Sequence, residues 1–148
     1  MNIRQAWAHI LLGIPVAALL LAGCSRCPES PGTFRVLGDI PYAEIPGTDP
    51  NLLRLDLYLP DPAPKGSVPL VVWVHGGGWI SGDKSHLTSY AKILAGRGFE
   101  VVVVNYTLSP AARYPVALRQ VCAALEVALA GTGRPYVIAG DSAGANLA

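Results

Sequence analysis

Hydrophobic and polar positions follow three successive patterns along the chain. Residues 10–22 (ILLGIPVAALLLA) are uncharged and almost wholly apolar. From Phe34 onward, apolar residues recur at strand and helix periods in turn. Residues 36–42 predict a weak strand. Residues 53–59 (LRLDLYL) alternate strictly, predicting a half-exposed strand near a sheet edge, ended by Pro60, Pro62 and Pro64. Leu70–Val74 (LVVWV) and residues 99–105 (FEVVVVN) are short continuous apolar runs, as buried parallel strands require. Between them, Leu87, Tyr90, Ala91 and Leu94 share one face of a helix predicted over residues 86–95, with Gly96 and Gly98 as its stop. Pro115 suits the first turn of a second helix over 115–130. A strand at 136–139 and a helix starting at 143 complete the series. This alternation predicts the α/β class: a mostly parallel sheet with helices on both faces and an antiparallel start.

The first apolar run is a separate matter. At about 1.5 Å per residue, residues 10–22 span roughly 20 Å, short of the roughly 30 Å hydrocarbon core. Pro15 further weakens a spanning helix. A start whose only charged side chain is Arg4, followed by this short run and small residues, predicts a secretory signal peptide. The run closes on Leu21-Ala22-Gly23-Cys24, which resembles the lipobox of bacterial lipoproteins. That resemblance implies acylation of Cys24, cleavage just before it and a membrane anchor through the lipidated Cys24. Ser25 then implies sorting to the outer membrane, facing the periplasm or the outside. An ordinary signal peptide with a coincidental cysteine, or an uncleaved anchor, is the alternative. Residues 24–33 lack periodicity and read as a tether. The organisation is thus an address at 1–23, a tether at 24–33 and an α/β domain at 34–148.

Composition narrows the function classes. With 51% hydrophobic and 14% charged residues, the chain is not of the disordered type. Eleven Lys and Arg against ten Asp and Glu give a net charge of +1, which provides no footprint for nucleic acid and no polybasic membrane patch. Three cysteines do not define a disulfide framework. In an exported chain Cys27 and Cys122 could pair. Cys122, however, lies among Ala117, Leu118, Val121, Leu125 and Leu129, which predicts a buried structural thiol. No spacing of Cys and His suits zinc, and no metal or organic cofactor is implied.

Two motifs carry chemistry. Gly140-Asp141-Ser142-Ala143-Gly144 directly follows a predicted strand and opens a predicted helix, the context of a nucleophile elbow. There the chain reverses sharply and lifts the Ser142 hydroxyl above the sheet, while the helix start supplies amides and partial positive charge where an oxyanion develops. His75-Gly76-Gly77-Gly78-Trp79 follows the buried strand Leu70–Val74. Ordering three consecutive glycines costs entropy, so this backbone is one that something approaches closely. Beside the elbow, the Gly76 and Gly77 amides could join that of Ala143 around an oxyanion.

With both motifs in this order, the chain resembles the N-terminal part of a serine carboxylesterase of the hormone-sensitive-lipase-like group, on the α/β-hydrolase fold. HGGGW with Ser81-Gly82-Asp83-Lys84 is also similar to feruloyl-esterase and arylformamidase-like hydrolases. Further matches are Asn105-Tyr106-x-Leu108-Ser109-Pro110, Tyr114-Pro115-x-Ala117-Leu118 and Asn146-Leu147-Ala148 after the elbow. Thr107 stands where relatives commonly carry Arg and Gln120 where they carry Asp, so a supporting polar contact is expected to be lost; Ala145 replaces a usual glycine. The resemblance implies Ser142 as nucleophile and Gly76, Gly77 and Ala143 as the oxyanion hole. His75 would fix the glycine loop by hydrogen bonding rather than act as base, with Gly78 and Asp141 in support. Trp79 would line the acyl or alcohol pocket, or else simply pack. His86 reads as a solvated helix-start residue. The implied substrate is a small-molecule carboxylic ester cleaved through an acyl-enzyme. An arylformamidase-like amide hydrolase, or a non-catalytic lipoprotein keeping the fold, is the alternative.

A serine hydroxyl needs a base, and the base an orienting carboxylate. In this fold the triad runs Ser, then Asp or Glu, then His. After Ser142 the sequence contains only Ala143, Gly144, Ala145, Asn146, Leu147 and Ala148. The expectation is therefore the front part of a larger hydrolase, with strand 136–139 a bare edge. By itself it is expected to be unstable and to have little or no triad-dependent activity.

Overall fold

The continuous apolar runs form the centre of one five-stranded sheet in the computed structural model, which describes residues 32–130 and 133–148. The expected lipidation site at Cys24 and nearly all of the tether lie outside the described residues. Among the described residues, no helix is long and apolar enough to cross a membrane. The strands are β1 (Thr33–Pro41), β2 (Arg54–Asp61), β3 (Leu70–Val74), β4 (Val101–Val104) and β5 (Tyr136–Gly140). The helices are α1 (Thr88–Ala95), α2 (Val116–Leu129) and α3 (Ala143–Leu147). The sheet order is β1-β2-β4-β3-β5. β1 and β2 pair antiparallel, as do β2 and β4, whereas β3 lies parallel to both β4 and β5. The expected α/β class, with its antiparallel start, is what the chain adopts.

Successive side chains of β3 and β4 enter two different cores, which is why neither strand alternates in polarity. Leu70, Val72, Val74, Val102 and Val104 pack with Val121 and Ala124 of α2 on one face. Val101 and Val103 pack with Leu87, Ala91 and Ala95 on the other. All four β4 valines are buried, and each contributes about 2 kcal/mol of burial free energy.

Four expectations need correction. Strand β2 alternates, but neither of its faces is open. Leu55 enters the α2-side core, while Tyr58 is buried on the α1 side and packs with Phe34. The alternation reflects two different coverings rather than one wet face. On α1, Tyr90 leaves the predicted stripe and is exposed, its ring tilted against Trp73. The buried positions are instead Leu87, Ala91 and Ala95, which centre the stripe one residue further round. Cys122 is exposed rather than a core thiol. Helix α2 buries Gln120, Val121 and Ala124, and 100° of rotation per residue carries Cys122 off that face. Finally, the polar contact expected to be lost with Thr107 and Gln120 is present in neutral form. The Thr107 amide donates to Gln120 Oε1 and Gln120 Nε2 donates to Thr107 Oγ1, both at 2.8 Å and both buried.

Candidate active site

Register decides where the two motifs meet. Val74 pairs with Gly140 at the C-terminal ends of the parallel strands β3 and β5. The glycine loop leaving β3 and the turn leaving β5 therefore emerge side by side, at the strand ends where open α/β sheets place their ligand crevices.

The turn after β5 is strained. Ser142 has φ +50° and ψ −116°, a conformation normally left to glycine, and α3 begins at the next residue. Its two flanking glycines are required by close approach. A Cβ at Gly140 would collide with the Gly144 carbonyl, and one at Gly144 would collide with the Val74 and His75 carbonyls. The sequence G-D-S-A-G thus lets a strand reverse into a helix against its neighbour strand, with Asp141 and Ser142 exposed at the turn.

The glycine loop is held at both ends. His75 is buried, stacks its ring on Tyr106 with centroids 4.4 Å apart, and holds Nδ1 2.7 Å from the Gly76 carbonyl. Since a carbonyl only accepts, Nδ1 carries the proton. The buried Tyr106 hydroxyl donates to the His75 carbonyl at 2.9 Å. These contacts tie His75 to the loop backbone and to Tyr106, and no hydrogen bond between His75 and Ser142 is present among the described residues. Further on, the amides of Ile80 and Ser81 donate to the Gly77 carbonyl at 3.2 and 3.1 Å, closing the turn.

One assignment changes. The Gly76 amide, expected in the oxyanion hole, donates to Asp141 Oδ1 at 3.1 Å. It is spent on tying the loop to the elbow, because β3–β5 pairing brings the Asp141 carboxylate directly over it. The Gly77 and Gly78 amides, one residue further on, donate to nothing among the described residues.

Trp79, at φ +62° and well exposed, lines a cleft of about 360 Å³ with Thr107, Ser109, Tyr114, Asn146 and Leu147. His86 is exposed, as expected, and borders a second cleft of about 310 Å³ that includes Gly76, Gly77 and Asp141.

Sequence reasoning missed a polar clasp beyond the loop. Lys84 Nζ lies 2.6 Å from Asp56 Oδ1 and 2.9 Å from Asp39 Oδ1. Its backbone amide donates to Asn105 Oδ1 at 2.6 Å, and Asn105 Nδ2 donates to Asp83 Oδ2 at 2.8 Å. Burial works against the Asp83 carboxylate, but bonds from Ser85 and Asn105 hold its pKa down at about 2. Burial likewise opposes the Lys84 ammonium, and Asp56 and Asp39 outweigh it, raising its pKa. The motif Gly82-Asp83-Lys84 was visible, but its partners lie 28 and 45 positions away.

Burial lowers the His75 pKa below its usual 6.5, with the Gly76 bond partly opposing. The folded state thus binds this proton less readily than the unfolded chain. Stability that is present above about pH 6.5 is lost as pH falls through that value toward the lower folded pKa, with a limiting slope of about 1.4 kcal/mol per pH unit. Urea midpoints measured from pH 7.5 to 5.0 should fall in the native protein and stay flatter in His75→Asn; equal slopes would refute this.

The alpha/beta hydrolase fold family matches residues 71–148, from β3 to the end of the chain. Hormone-sensitive lipase of Bos taurus is 40% identical over 108 residues, covering 66% of this chain and 14% of the lipase. A carboxylesterase of Mycobacterium tuberculosis is 36% identical over 98 residues, covering 62% of this chain and 30% of the esterase. Phosphonate-inhibited esterase B of Lactobacillus rhamnosis superposes with a TM-score of 0.68 at 27% identity, over 97% of this chain and 45% of that one. The chain thus spans less than a third of the length of these two curated relatives. With more than half of its residues inside the family match, the chain belongs to the alpha/beta hydrolase fold family.

Proposed function

We propose that this chain carries the nucleophile of a serine hydrolase that cleaves small-molecule carboxylic esters through an acyl-enzyme. The observation that carries the reading is Ser142 held at φ +50° on the turn between β5 and α3, beside a glycine loop with two uncommitted amides. Strain of this kind costs about 1–3 kcal/mol and persists only where the surroundings enforce it. In the proposed reaction Ser142 Oγ attacks the ester carbonyl carbon, and a base takes its proton. The carbonyl oxygen becomes an oxyanion facing the Gly77, Gly78 and Ala143 amides. The C–O bond to the alcohol then breaks, the base returns the proton to the leaving alkoxide, and water hydrolyses the acyl-serine. Each oxyanion donor is worth about 10²–10³ in rate. His75, buried and tied to Gly76, does not serve as that base in this reading. The reading assigns the base and its carboxylate to the part of a hydrolase that this chain does not span. It places a small apolar acyl or alcohol group in the cleft beside Trp79. Esterase and lipase relatives favour an ester over an amide substrate.

The same reading anchors the protein to a membrane through a lipidated Cys24, supported by the Leu21-Ala22-Gly23-Cys24 pattern after a short apolar run. One experiment tests both parts, using the protein at the full length its gene encodes, expressed in a Gram-negative bacterium. A fluorophosphonate probe should label Ser142, and the labelled protein should partition into the Triton X-114 detergent phase. Cys24→Ser should move the label to the aqueous phase. An unlabelled Ser142 in folded protein would favour the non-catalytic reading, and detergent partitioning that survives Cys24→Ser would refute the lipid anchor.

A further inference from the structure

The return arm of the glycine loop is clamped by charge where apolar packing would hold it at less desolvation cost. The Lys84 side chain is only 12% exposed, as is that of Asp56 on β2. Asp56 Oδ1 accepts a second bond, at 2.8 Å, from the amide of Asp39, which sits at a register break in β1 with φ +57°. On the other side, Asn105 receives the Lys84 amide and reaches both Asp83 and the Asn51 carbonyl, at 2.8 and 3.1 Å. Residues 83 and 84 are thereby fixed to β2 and to the end of β4 at once. Gly82, just before them, lies so close to the loop's other arm that a Cβ there would collide with the Gly76 carbonyl and the His75 ring. A shift at Lys84 therefore moves Gly82 against Gly76 and, through it, the run that carries the Gly77 and Gly78 amides. Buried ion pairs contribute little net stability compared with apolar packing of the same volume, and in some proteins they serve instead to fix one geometry.

We infer that Lys84 is a positioning residue for the glycine loop, acting through its ion pair with Asp56; the inference rests on the ester-hydrolase reading above. Lys84 touches no substrate. It sets where the loop amides stand relative to Ser142, and so acts on the transition state more than on substrate binding.

The test uses the full encoded protein, with p-nitrophenyl butyrate as substrate and a trifluoromethyl ketone as oxyanion analogue. In Lys84→Met, kcat should fall roughly 10- to 100-fold with KM within about threefold, and the ketone's inhibition constant should rise by the same factor as kcat falls. Lys84→Arg, which keeps the charge, should recover most of the loss. Asp39→Asn alters a partner whose side chain is 71% exposed and should stay within about threefold of wild type. A folded Lys84→Met with unchanged kcat overturns the inference, and so does a kcat loss that leaves ketone affinity untouched. If circular dichroism shows Lys84→Met unfolded, Asp56→Asn is held to the same criteria. A folded wild-type protein that fails to hydrolyse the ester overturns the underlying functional reading instead, before any variant is compared.

Discussion

In the full encoded protein, replacing Ser142, the proposed nucleophile, with glycine is expected to abolish ester hydrolysis and to stabilise the fold at the same time. Loss of the nucleophile should lower kcat by about 10⁵- to 10⁶-fold, the scale seen when a catalytic serine is removed. The stability gain has a different source. At φ +50° and ψ −116° a Cβ crowds the backbone, at a cost of about 1–3 kcal/mol that glycine does not incur. Glycine's greater freedom in the unfolded chain returns about 0.5–1 kcal/mol of that. The net expectation is a gain of about 1 kcal/mol. Ser142→Ala separates the two effects: it also removes the hydroxyl, but it keeps the Cβ and with it the strain. Urea titrations of the three proteins should place Ser142→Gly above wild type and Ser142→Ala close to it. If the glycine variant is no more stable than the alanine variant, the strain is not stored at Ser142.

Much of this site was legible in the sequence because its constraints are local. Strand, tight turn and helix start follow one another within residues 136–147, so Gly140, Ser142 and Gly144 declare the elbow directly. The same holds for Leu70–Val74 and the glycines after it. What stayed hidden depends on pairing between distant segments. That Gly76 donates to Asp141 follows from the β3–β5 register across 65 positions, and no local pattern fixes that register. The Thr107–Gln120 contact was misjudged for a related reason. Neither residue is charged, yet a neutral amide and hydroxyl satisfy each other across 13 positions as fully as an ion pair would. Cys122 shows the limit of periodicity itself. Leu118, Leu125 and Leu129 flank the buried stripe of α2, so a stripe drawn through them is rotated far enough to include an exposed neighbour.

The second large effect is expected at Gly144, where the usual consequence of a glycine-to-alanine change in a helix is reversed. Within a helix, alanine is favoured over glycine by about 0.5–1 kcal/mol, so propensity alone predicts that Gly144→Ala stabilises α3. The added methyl, however, would point at backbone: the Val74 carbonyl, and the His75 carbonyl oxygen and carbon at 2.6 and 2.8 Å. Neither can rotate away as a flexible side chain would. Relief requires α3 to move off the end of β3, which pulls Ser142 from the glycine loop and loosens the buried contact of Leu147 with the α2-side core. Overpacking of this kind costs about 3 kcal/mol, which outweighs the propensity gain. Activity should fall with it, because the Ala143 amide moves away from the loop amides it is proposed to act with. Gly47 provides the control. It has φ +79° with nothing within 4 Å of a built Cβ, so Gly47→Ala incurs only the left-handed conformational cost of about 1 kcal/mol. A Gly144→Ala protein as stable as wild type would mean that the elbow and β3 are not in the contact that brings Ser142 to the loop.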